Sequence, residues 1–153
     1  MKNTLVVISA LIGIGGFNGV FAEDEKMPMR HHHQETSVLD ARIPLNVSPE
    51  MKRNQLSNMR GHVESINSIV GLMSENKFDE ASKVAHSKLG LSAEMQAMCG
   101  MFNDENFEKL GLAFHKSGDD LGDALQTKDI YASLRALNKT TQICVTCHAT
   151  YRQ

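Results

Sequence analysis

Apolar positions recur every three or four residues along most of the chain after Val47, and no segment sustains the alternation of a strand. Ser48-Pro49-Glu50 reads as a helix start, with a capping serine, a proline suited to the first helical position and an acid in the first turn. Leu56, Met59, Val63, Ile66, Val70 and Met73 then step by three or four, which predicts a helix to about Ser74 burying that stripe. A second, shorter helix is expected from Phe78 to Leu89, with Phe78, Ala81, Ala85 and Leu89 on one stripe and Gly90 as its stop. Residues 92 to 102 predict one or two extra turns before the Asn103-Asp104 break. A third long helix should run from Glu105 to about Gln126 and bury Phe107, Leu110, Phe114, Leu121 and Leu125. Its Gly111 and Gly118 weaken it but permit close approach of a neighbour or a ligand. A last helix is expected from near Asp129, with Ile130, Leu134, Leu137, Thr141, Cys144, His148 and Tyr151 facing the core. The expected fold class is all-α, a four-helix bundle.

Ahead of these helices the character changes. Lys2 is followed by an apolar run from Leu5 to Ile14 and then by Val20-Phe21-Ala22, the pattern of an export signal. Cleavage is expected after Ala22. Gly13, Gly15, Gly16 and Asn18 argue against the other reading, a retained membrane anchor. The expected organisation is therefore a signal peptide at 1–22, a polar, loosely ordered arm at 23–47 and one helical domain at 48–153. After cleavage no stable membrane span is expected.

The chain has 16 basic and 18 acidic residues, no Trp and only two Tyr. Without basic clusters interleaved with aromatics, nucleic acid is not an expected partner. Three cysteines cannot all pair with one another, and two of them lie three apart in Cys144-Val145-Thr146-Cys147-His148. In an exported chain this C-x-x-C-H run points to covalent attachment of one haem c. Its two thiols add across the two porphyrin vinyl groups, and the following imidazole ligates iron. Two rival chemistries fit less well. A thioredoxin-like pair belongs at the start of a helix after a strand. A zinc site needs a fourth ligand, with Cys99 or His115 as candidates.

The sequence from Cys144 through His148 to Ala149-Thr150-Tyr151-Arg152 resembles the C-terminal C-x-x-C-H-x-x-Y-R run of the class II cytochromes c, the cytochrome c-prime and c-556 group. The resemblance extends from about Ser48 in helix order and length, although only the haem motif and its Tyr-Arg tail are specific. It implies a left-handed antiparallel four-helix bundle, often dimeric, with the haem-attachment helix at the C-terminus. Members divide by the residue at the sixth iron position on the first helix. Methionine there gives a low-spin electron carrier, whereas a non-ligating residue leaves five-coordinate iron that binds nitric oxide or carbon monoxide. In the family this position is followed by apolar residues about seven, ten and thirteen places on. Counting from Met59 gives Ile66, Ile69 and Leu72, but counting from Ser57 gives Glu64, Asn67 and Val70, so Met59 fits the phase. A soft thioether favours ferrous iron and raises the potential. His62, one turn on, is the alternative ligand and would lower it.

Other residues carry weaker expectations. His115 could line the haem edge, and His86, off the apolar stripe of its helix, is read as solvated. The family arginine that faces a haem propionate falls at Gln55 here, which leaves Arg53 or Arg60 for that role. Cys99 reads as a buried thiol, with an intermolecular disulfide or a soft metal site beside Met95, Met98 and Met101 as alternatives. The arm carries Met27, Met29 and His31 to His33, types that copper accepts. The function these residues support best is a periplasmic monohaem electron carrier, not an enzyme, whose partners are periplasmic or membrane-bound redox proteins. A five-coordinate gas binder is the alternative, and a copper-handling protein the third reading.

Overall fold

Side-chain caps set the helix starts. Ser48 Oγ accepts the Met51 N–H at 3.2 Å and Pro49 opens α1, Pro49–Ser74. Lys77 precedes α2, Phe78–Val84, which continues into a single π-helical turn, Ala85–Leu89. Ser92 caps the short α3, Ala93–Cys99; the Asp104 carboxylate accepts the Phe107 N–H at 2.9 Å to begin α4, Glu105–Gln126; and Asp129 accepts from Tyr131 and Ala132 to begin α5, Ile130–Thr150. The computed structural model describes residues 40–153. The expected signal peptide and the arm's Met27, Met29 and His31 to His33 lie outside the described residues.

The described chain is mostly helical, in agreement with the all-α expectation. Helix α4 packs along α5 and also against α2 and the π turn, while α1 packs on α2 and the π turn. Ile69, Ala81, Ala85, Leu89, Leu121 and Leu125 are fully buried where these elements meet, with Met73, Phe78 and Phe114 around them. Burying each of the larger aliphatic side chains there contributes about 1.5–3 kcal/mol. The small residues foreseen in α4 serve this packing. A methyl group on Gly118 would sit 2.6 Å from the Leu89 carbonyl carbon, and one on Gly111 would sit 2.8 Å from Cys99 Sγ.

Two buried faces differ from expectation. On α1 the buried positions are Ser65, Ile69 and Met73, whereas Leu56, Val63 and Val70 are exposed, Val63 by 68%. The residues foreseen as core follow a repeat of 3.5, and a straight helix of 3.6 residues per turn carries such a stripe away from a fixed neighbour by about 20° per heptad. On α5, Ser133 and Thr140 are buried while Ile130 and Leu134 are exposed. The close approach of α4 selects small side chains, and the Thr140 hydroxyl donates to Ser117 O at 3.1 Å across the interface. Gly90 does end the second helical segment, but in an extended conformation after the wide turn closed by its own N–H on Ala85 O at 3.0 Å.

The end of the expected loose arm is ordered. Ile43–Pro44 forms β1 and pairs in parallel with β2, Tyr151–Arg152, and Leu45 N–H donates to Arg152 O at 2.8 Å. A second apolar cluster of Phe102, Phe107 and Tyr151 lies beneath this ladder, with Leu45, Val47 and Met51 against it. The Tyr151 hydroxyl donates to Asp104 Oδ1 at 3.1 Å, tying the end of α5 to the cap of α4. Among the described residues no helix is long and apolar enough to cross a membrane.

Candidate functional site

A cleft of about 190 Å³ opens between α1, α4 and α5. Met59, His62, Val63 and Ile66 form its α1 wall, Phe107, Leu110, Gly111, Phe114 and His115 come from α4, and Ile143, Cys144, Cys147 and His148 come from α5. An adjoining cleft of about 270 Å³ shares Met59, Phe107, Cys147 and His148 and adds Arg42, Leu45, Tyr151 and Arg152. Met59, Phe107, Cys147 and His148 thus border both clefts, one toward the helical core and one toward the β1–β2 ladder, and together the two clefts reach the size usual for a small-molecule site. The walls of the first cleft are almost wholly apolar apart from thiol, thioether and imidazole groups, whereas the second carries the two arginines.

Cys144 and Cys147 lie one turn apart on α5, which places both on the same side of the helix. Both are half-buried and unpaired with each other. Burial raises the pKa of each thiol, and the neighbouring Cys144 raises that of Cys147 further, so both are neutral at pH 7. His148 follows in the last turn. It is more exposed than its expected place on the core face implied, and it borders both clefts. Its backbone carbonyl accepts from Arg42 Nη1 at 3.3 Å.

Across the cleft, Met59 is partly buried on α1 and borders both spaces. His62 is one turn further on, with its ring centroid 4.7 Å from that of Phe114 and 5.4 Å from that of His115. Burial, and secondarily the nearby His115, depresses His62 to about 4, so it presents a neutral imidazole at pH 7. His115 is 95% buried, with Nδ1 2.9 Å from Leu89 O. That contact assigns the proton to Nδ1, which donates to the carbonyl at the end of the π turn and leaves Nε2 as an acceptor. Burial lowers the pKa of His115 as well.

Comparison of the chain with protein-family models, with curated proteins and with solved structures gives no match.

Other expected residues fall away from this cleft. Cys99 is buried against Gly111 without lining the cleft itself, and burial raises the pKa of its thiol. Met98 and Met101 face a separate cleft with Gln55, and Met95 borders neither space. His86 is not solvated as expected. It is half-buried, with Nδ1 3.1 Å from Asp119 and Nε2 3.4 Å from Asp123, and packs over Gly122. Among the described residues no group of three or more His, Cys, Asp or Glu side chains could hold a metal ion, so Cys99 and His115 do not complete a zinc site with the two cleft cysteines.

Of the arginines near the cleft one was expected and two were not. Arg60 borders Met59 on α1, but Arg53 lines neither space, and Arg42 and Arg152 flank His148. Arg42 belongs to the segment read as loose. Only its nearness to Ile43-Pro44, a β-branched residue before a proline, hints at an extended backbone there.

Proposed function

We propose that this protein is a periplasmic monohaem c-type cytochrome that transfers one electron at a time. The observation that carries the reading is the convergence of Cys144, Cys147 and His148 from α5 on one apolar cleft with Met59 from α1. Covalently bound haem supplies a reversible one-electron iron couple. In this reading Cys144 and Cys147 form the thioether links, His148 is the fifth ligand and Met59 the sixth, with His62 as the alternative at that position. Phe107, Phe114, Leu110 and Ile143 exclude water from the group, and Arg42, Arg60 and Arg152 supply cations at the rim for its carboxylates.

The helices α1, α2 with its π turn, α4 and α5 then form an antiparallel four-helix bundle of the class II cytochrome c kind, with α5 as the attachment helix. Its partners are periplasmic or membrane-bound redox proteins, and self-association as a dimer belongs to the same proposal. The protein is not an enzyme in this reading.

The deciding measurement is the visible spectrum of purified holoprotein, oxidised and reduced, with and without carbon monoxide. Low-spin iron that ignores the gas, and that loses its sulfur-to-iron charge-transfer band in Met59→Leu, is the expected result. High-spin iron that takes up carbon monoxide in the unmutated protein overturns Met59 ligation in favour of a five-coordinate gas-binding haem. Loss of the low-spin spectrum in His62→Leu but not in Met59→Leu assigns the sixth position to His62.

A further inference from the structure

A third cleft, of about 370 Å³, lies between the first turns of α1 and the end of α3, away from the cysteine-lined cleft. Three methionines border it: Met51 from α1, Met98 from α3 and Met101 just beyond α3. Met51 also lies against the Phe102–Phe107–Tyr151 cluster, but core packing does not account for Met101. Met101 is 65% exposed, and amide side chains of Gln55 and Asn58 share the cleft, so thioethers stand among polar groups at an open surface. The Met98 sulfur is not turned into the core, for Asn58 Nδ2 lies 2.8 Å from it across the gap between α1 and α3. Cys99 takes no part, being buried against Gly111.

We propose that Met51, Met98 and Met101 form a binding site for a soft monovalent cation, copper(I). Neutral thioethers discriminate against hard divalent cations, which require oxygen donors and negative charge, and they favour copper(I). Glu94 at the cleft edge supplies a carboxylate near the bound charge. Thioethers have no proton to lose in the neutral range, so binding at this site persists at a pH where histidine ligands are protonated. The site is independent of the haem reading, because it uses none of the residues of that cleft.

The test uses the full mature holoprotein, reduced and anaerobic, labelled with ¹³C at the methionine methyl groups and titrated with copper(I) alone. The Met51, Met98 and Met101 methyl resonances should shift together and saturate at one equivalent, at about pH 5 as at about pH 7.5. Deleting residues 27–33 should leave this unchanged. The volume-conserving Met51→Leu/Met98→Leu/Met101→Leu variant should abolish the response, and Met101→Leu alone, at an exposed position that cannot endanger folding, should weaken it about tenfold or more. Failure of the three resonances to shift overturns the site. So does binding that disappears on deletion of 27–33 or survives Met101→Leu undiminished.

Discussion

Replacing Gly118 by alanine sets two effects of known size against each other. Alanine is favoured over glycine within a helix by about 0.8–1.0 kcal/mol. The added methyl, however, would lie 2.6 Å from the Leu89 carbonyl carbon, and the obstacle is backbone in the π turn rather than the end of a movable side chain. Overpacking of this kind costs about 1–3 kcal/mol. Displacing Leu89 also stretches the hydrogen bond its carbonyl accepts from His115, worth about 1 kcal/mol. The net expectation is destabilisation of about 1–3 kcal/mol. Gly71 on α1 is the control, since nothing lies within 4 Å of a methyl there and only the propensity gain applies. Gly71→Ala should therefore stabilise by about 0.5–1 kcal/mol, and the two variants should differ in thermal midpoint by about 5–15 °C in the same haem state. Circular dichroism melts of the two proteins and the parent measure this directly. If Gly118→Ala is as stable as Gly71→Ala, the close contact at Leu89 does not constrain α4.

Three further expectations follow from the cleft and its surroundings. In a haem-free Cys144→Ser/Cys147→Ser protein, stability should fall as pH drops from about 6.5 to about 4, because the unfolded chain protonates His62 before the folded one does. The loss is at most about 3 kcal/mol before solvent screening, and His62→Leu should remove its share of the slope in urea midpoints measured across that range. Each of Cys144→Ser and Cys147→Ser should leave haem held through a single thioether link, and the double variant should lose it under denaturing conditions, read by haem staining of gels. Cys99 should resist a thiol-alkylating reagent in the native protein and react fully in denaturant; mass spectrometry showing rapid native labelling would contradict its burial against Gly111.

Helix starts were the most legible features of the sequence because they are chemically local. Ser48-Pro49, Asp104 and Asp129 each satisfy nearby backbone N–H groups whatever the rest of the chain does. Which face turns inward was less legible, since it depends on the neighbour. The Leu56-Val63-Val70 edge is as apolar as the one that carries Ile69, and only the position of α2 decides between them. The π turn at Ala85–Leu89 has no local signature at all. It is visible only through its fit to Gly118 and His115, residues more than twenty positions later. The same holds for His86, whose carboxylate partners lie on α4. The gathering of Cys144, Cys147, His148 and Met59 was legible because the C-x-x-C-H spacing marks one wall and helix phase marks the other, whereas Arg42 reaches the cleft through a strand pairing with nothing periodic behind it.

That pairing has a consequence for the order of events in making the protein. Ile43 and Tyr151 are more than a hundred residues apart, so their ladder cannot close until synthesis has delivered the chain through Arg152. Cys144, Cys147 and His148 emerge only shortly before it. Until the ladder closes, Arg42, Leu45 and Tyr151 are not yet in place along the adjoining cleft, and the side that they will flank stands open while the thiols become available. Under the haem reading the pairing is a latch drawn across the cleft after the thiols have been accessible, and variants that cannot pair Ile43 with Tyr151 should attach haem as the parent does but leave the His148 side of the cleft more open to solvent.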